Sequence, residues 1–159
     1  MRICNPTKPG NRLGMPLEAW PVPDQTAWHA AFAPGSLLDV QPHGRDLRPA
    51  SRVTIATCCA RWLAWLKAKH PDAWHLPPGE RASRAHITAY INALCLEVSV
   101  GTVFNYACRL KSALQLIAPE TELSWLTPAL RRLERKARAA REAKPKPFVP
   151  SAQLYAFGI

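Results

Sequence analysis

Thr102, Asn105, Tyr106 and Arg109 recur at i, i+3, i+4 and i+7, the spacing that gathers side chains on one face of a helix. Hydroxyl, amide and guanidinium groups on such a face are the types that reach base edges and phosphates in a DNA major groove. A second concentration comprises Arg131, Arg132, Arg135, Lys136, Arg138 and Arg141, opposed only by Glu134 and Glu142 and continued by Lys144 and Lys146. Cations in such a run neutralise phosphates and release condensed counterions, which gives salt-sensitive, sequence-independent attraction. A third strip, Ser51, Arg52, Thr54, Thr57 and Arg61, sets small hydroxyls beside arginines near the start of another helix. Each of the three is also what an ordinary solvated helix face looks like.

The whole chain shares the cationic bias. Among 159 residues, 21 are Lys or Arg and 11 are Asp or Glu, a formal charge of +10. Such a surplus bears on partners and association rates rather than on fold, and the planar fork of arginine suits phosphate. Nucleic acid is therefore the expected partner. An anionic membrane is the rival, but no apolar run approaches the roughly 20 residues that span a bilayer. The opening MRICNPTKPGNRLG has no apolar segment of the kind a secretory signal carries. The expected location is the cytoplasm, at the nucleoid when DNA is held.

Signals for catalysis or metal binding are absent from the sequence. Its five cysteines (Cys4, Cys58, Cys59, Cys95 and Cys108) form no CxxC pair and read as reduced core thiols. His70 and His75 flank a Pro-Asp turn without apparent metal partners, and no Gly-rich loop, HExxH or GxSxG occurs. No catalytic residue, metal, cofactor or small-molecule substrate is expected.

The elements that must position these side chains follow from periodicity and punctuation. Prolines crowd residues 1–48 and recur from Pro145 to Pro150. Residues 1–48 read as an irregular Pro-rich extension with one short helix, capped by Asp24 and apolar along Trp28, Ala31 and Phe32. The first long helix runs from Pro49 or Ser51 to Lys69, with Ile55, Cys59, Trp62, Leu63 and Leu66 inward; Pro49 is tolerated only at its start. Trp62 and Trp65 read as core. A loop containing Pro77, Pro78 and Gly79 follows. The second helix begins near Ser83, with Ile87, Tyr90, Ile91 and Leu94 on one face. The third begins at the N-cap Ser99 and carries Val100, Val103, Ala107, Leu110, Leu114 and Ile117 until Pro119 stops it. The fourth spans Ser124 to Glu142, with Leu126, Leu130, Leu133 and Ala137 inward. The expected architecture is all-α: a four-helix domain over 49–142, a basic Pro-rich linker over 143–150, and the start of a further helix over 151–159.

Four stretches in this order resemble the N-terminal core-binding domain of tyrosine recombinases, the phage-integrase type: SRVTIATCCARWLAWLKAKHP, RASRAHITAYINAL, SVGTVFNYACRLKSALQLIAP and ETELSWLTPALRRLERKAR. LEAWPVPDQTAWHAAFAPG is similar to the N-terminal extension of one integrase subgroup. The resemblance implies a SAM-like four-helix bundle that lays its first and third helices across major grooves, on one side of a clamp around the duplex. Carried over, the DNA-facing positions are Ser51, Thr54, Thr57 and Arg61, with Gly101, Thr102, Asn105, Tyr106 and Arg109. The resemblance places the nucleophilic tyrosine and its arginines in a separate catalytic domain beginning near Phe148, so that Tyr155 comes too early to be the nucleophile. The expectation is thus a DNA-binding domain without its own cleavage chemistry, in contact with other recombinase protomers. A protein-interaction module, or a dominant-negative regulator of an intact recombinase, is the alternative.

Overall fold

The computed structural model describes residues 15–36, 38 and 44–145. Among these, the helices are α1 (Val22–Ala31), α2 (Pro49–Lys69), α3 (Pro78–Arg81), α4 (Arg84–Glu97), α5 (Val100–Ile117) and α6 (Leu126–Glu142), and no strand occurs. Short 3₁₀ turns lie at Leu17–Ala19, Gly44–Asp46 and Pro71–His75. The four long helices expected from the sequence are α2, α4, α5 and α6. Cys4, most of the 143–150 linker and all of 151–159, with Ser151 and Tyr155, lie outside the described residues.

Local chemistry accounts for the starts of these helices. Ser83 and Ser99 accept the backbone N–H groups of His86 (3.2 Å) and Thr102 (3.4 Å), capping α4 and α5. Pro49 occupies the first turn of α2, where its missing N–H costs nothing. The fourth long helix begins at Leu126 instead of Ser124. The Ser124 N–H donates to the Glu122 carboxylate at 2.7 Å, and residues 124–125 form a turn.

The short N-terminal helix departs from expectation. Asp24 does not cap it: α1 starts two residues earlier, behind Pro21, and Asp24 lies fully buried within the first turn. Its two carboxylate oxygens accept from Nη1 of Arg81 at 2.7 and 2.8 Å. Arg81 is 1% exposed, and its remaining donors reach the carbonyls of Ala73 (3.3 Å) and Leu76 (2.6 Å). Burial pushes the Asp24 carboxyl above its ordinary range, and the bonds from Arg81 offset that only in part. Where a loop was expected, Pro78–Arg81 forms one helical turn, and that turn delivers Arg81 to Asp24.

The core is continuous from the N-terminal segment to α6. α5 sits in the middle, packing against α1, α2, α3, α4 and α6. Its inward Val103, Ala107, Leu110, Leu114 and Ile117 meet Trp62, Leu63 and Leu66 of α2, Ile87 and Leu94 of α4, and Leu126 and Leu130 of α6 in one cluster. Trp20 and Trp28 join it, edge to face at 5.5 Å, so the Pro-rich extension shares the core of the helices that follow it. Trp62 is buried, while Trp65 is half-buried and stacked on it at 5.8 Å. Cys58 and Cys59 are core thiols and Cys108 is half-buried, but Cys95 is exposed on α4, contrary to the expectation for it. Position 95 follows the buried Leu94 by one residue, which turns it off the inward face.

Candidate nucleic-acid interface

α5 is flanked by α2 on one side and α6 on the other. Arg61 of α2 meets Tyr106 of α5, while Cys58, earlier on α2, feels Arg109, later on α5. Across the other seam, Lys111 donates to the Thr127 hydroxyl at 2.9 Å, while Glu134, further along α6, bears on Cys108. The outward strip of α5 between these seams carries Asn105 and Arg109, both exposed.

The two strips expected on α2 and α5 meet at one contact. The Arg61 guanidinium carbon lies 4.7 Å from the centroid of the Tyr106 ring, and Nη1 donates to the Tyr106 hydroxyl at 3.3 Å. A cation over an aromatic face is attracted by the ring quadrupole. Stacking leaves the other guanidinium donors of Arg61 available at the surface. Arg61 and Arg109 both favour the thiolate of Cys58 electrostatically, although burial keeps that thiol above its usual pKa. Two positive charges thus converge where α2 and α5 touch.

The hydroxyls contribute differently. Thr54 and Thr57 each donate to a carbonyl one turn back, at Ala50 and Val53, both at 2.9 Å. With that proton committed, each oxygen can only accept, so neither offers a donor to a phosphate. They make low-profile surface; Arg61, Asn105 and Arg109 supply the donors. Thr102, half-buried, lies 3.0 Å from the Ser99 hydroxyl at the start of α5. Gly101 has nothing within 4 Å of where a Cβ would stand, so internal packing does not demand a glycine there.

Not every expected residue joins this surface. Arg52 projects from another flank of α2, as a position two before Thr54 must. Its guanidinium covers the Phe32 ring at 4.0 Å, and its Nε has no hydrogen-bond partner among the described residues. Ser51 is half-buried beside it. The cations of α6 divide. Arg131 and Arg138 share the flank of Thr127 and Glu134, which borders the exposed strip of α5, and Arg138 lies 3.8 Å from Glu134. Arg132 and Lys136 face α4 across a separate cleft, and Arg135 is exposed. Lys111 was not singled out from the sequence, because as a lone lysine amid apolar neighbours it carries no pattern.

Comparison with family models, with curated proteins and with solved structures finds no match to the chain. No helix among the described residues is long and apolar enough to cross a membrane. No three His, Cys, Asp or Glu among them gather in a way that could hold a metal ion.

Proposed function

We propose that the chain binds duplex DNA through the surface shared by α2, α5 and α6, as a core-binding domain of the tyrosine-recombinase kind. Helices α2, α4, α5 and α6 would form its SAM-like bundle. The observation that carries this reading is the Arg61–Tyr106 contact, which joins two polar strips from distant parts of the sequence into one cationic surface. Exposed Asn105 and Arg109 continue that surface, and Arg131 and Arg138 border it. In this reading Arg109 and Asn105 supply donors to phosphates and base edges. Arg61, held by its ring, and the α6 cations grip the backbone. The role is binding; strand cleavage is not assigned to this chain.

Fluorescence anisotropy with a labelled duplex, at low and moderate salt, tests it. Salt-sensitive binding that Arg109→Ala weakens, with helical circular dichroism unchanged, is the expected result. A folded protein that leaves the duplex free even at low salt ends the proposal. Incubation with supercoiled plasmid is expected to yield no covalent protein–DNA adduct.

A further inference from the structure

The far side of α6 carries a second feature, independent of DNA binding. A cleft of about 320 Å³ runs between α4 and α6. Its apolar lining comes from Ile91 and Cys95 on one wall and from Trp125, Ala129 and Leu133 on the other. The fully buried Leu126 closes the bottom. Beyond Asn92 on the α4 wall stands Leu96, 90% exposed and one turn further along. Apolar side chains lining an open groove between two helices are what the apolar face of a third helix can fill.

The rim says which helix. Arg132 and Lys136 line the α6 wall, and the Arg84 guanidinium sits 5.3 Å from the Trp125 ring at one end. The other polar lining residues, Thr88 and Asn92, are uncharged, and no carboxylate lines the cleft among the described residues. Glu134 of α6 turns elsewhere, toward Cys108 and Arg138 on the opposite flank. A second copy of this chain would bring its own surplus of +10 against these cations. Lys146 carries the only charged side chain in the segment 146–159, which therefore brings no acidic side chain to them.

We propose that the α4–α6 cleft docks an acidic amphipathic helix from another protein, its apolar face against Ile91, Trp125 and Leu133 and its carboxylates on Arg84, Arg132 and Lys136. Because Arg132 and Lys136 lie on a different flank from Arg131 and Arg138, such a partner leaves the α2–α5 surface open.

The probe is a fluorescein-labelled helical peptide with leucines at i, i+3, i+4 and i+7 and glutamates on its remaining positions, titrated with the full chain. A charge-reversed twin carries lysines in place of the glutamates. The Glu peptide is expected to bind and the Lys twin not. The double variant Arg132→Glu/Lys136→Glu is expected to weaken binding roughly tenfold or more. Arg131→Glu/Arg138→Glu, an equal change of charge on the other flank, is expected to leave it within about twofold. All four positions are exposed, so both variants are expected to fold, as circular dichroism checks. Bound peptide is also expected to slow modification of Cys95, located by mass spectrometry. Equal loss in the two double variants would mean diffuse attraction and overturn the proposal. So would unprotected Cys95, a Glu peptide that does not bind, or concentration-dependent self-association that Ala129→Glu abolishes.

Discussion

Arg81 and Arg61 are the same residue type in opposite circumstances. Arg81 is 1% exposed and fixed by the Asp24 carboxylate and two backbone carbonyls. Arg61 is half-exposed, rests on a ring and makes a single 3.3 Å bond to it. Desolvation separates the two. A guanidinium removed from water must have its charge and its donors answered by the protein, and every one of those answers becomes structural. At the surface, water supplies what the ring does not, so the same group is held loosely enough to exchange water for an incoming anion. Buried, an arginine locks two segments together; stacked at the surface, it is left ready for a partner.

The largest test of that contrast is at Asp24. Asp24→Asn leaves the Arg81 charge buried without its counter-ion and is expected to lower the unfolding free energy by about 3–5 kcal/mol in urea titrations. Replacing both partners with apolar residues, Asp24→Leu with Arg81→Met, is expected to recover much of the loss, since the charge then leaves together with its partner. A cost below about 1 kcal/mol for Asp24→Asn would break the comparison, because it would place Arg81 among the surface arginines in energy.

Arg109→Ala comes next, and its effect belongs to binding. Stability is expected to stay within about 0.5 kcal/mol of the parent. Duplex affinity is expected to fall by about 1–3 kcal/mol in anisotropy if the side chain reaches a base. On the neighbouring flank, Arg131→Ala is expected to weaken all duplexes alike and to lower the slope of log affinity against log salt by about 0.9. An unchanged slope would remove Arg131 from the interface. The smallest effect is at Gly101, where opposite signs are expected. With space for a Cβ and no left-handed backbone, Gly101→Ala should raise stability by about 0.5–1 kcal/mol on helix propensity alone. If the duplex backbone approaches α5 closely there, the same methyl lowers affinity, so thermal melting and anisotropy move in opposite directions.

Local features were readable from sequence. The cap at Ser99, the start of α4 near Ser83, Pro49 in the first turn of α2 and the inward stripe of α5 from Val103 to Ile117 all depend on residues within a turn or two of each other, and all are present; Val100, expected in that stripe, lies outside the buried set at the helix start. Asp24 misled because a buried acid and an N-capping acid look identical until the partner is known, and Arg81 stands 57 residues away. The one-turn α3 was missed for a related reason: prolines and a glycine spell a loop, and the ion pair that Arg81 of this turn makes with Asp24 joins residues far apart in the sequence. The cations of α6 were visible as a run, but a run does not tell which flank meets which neighbour. That needed α5 on one side and α4 on the other. For the same reason the meeting of Arg61 with Tyr106 was beyond periodicity, which orders residues along a helix but not across a seam.

The separation of Asp24 from Arg81 also has a consequence in time. Helices α4, α5 and α6 follow one another through short connections, so their contacts need little chain to be closed before they form. Seating Asp24 requires a loop of 57 residues to close first, with the entropy that entails. If α1 docks after the rate-limiting step, weakening the pair should speed unfolding several-fold and barely change the refolding rate. The N-terminal helix would then act as a clasp, governing how long the fold lasts and not how quickly it forms.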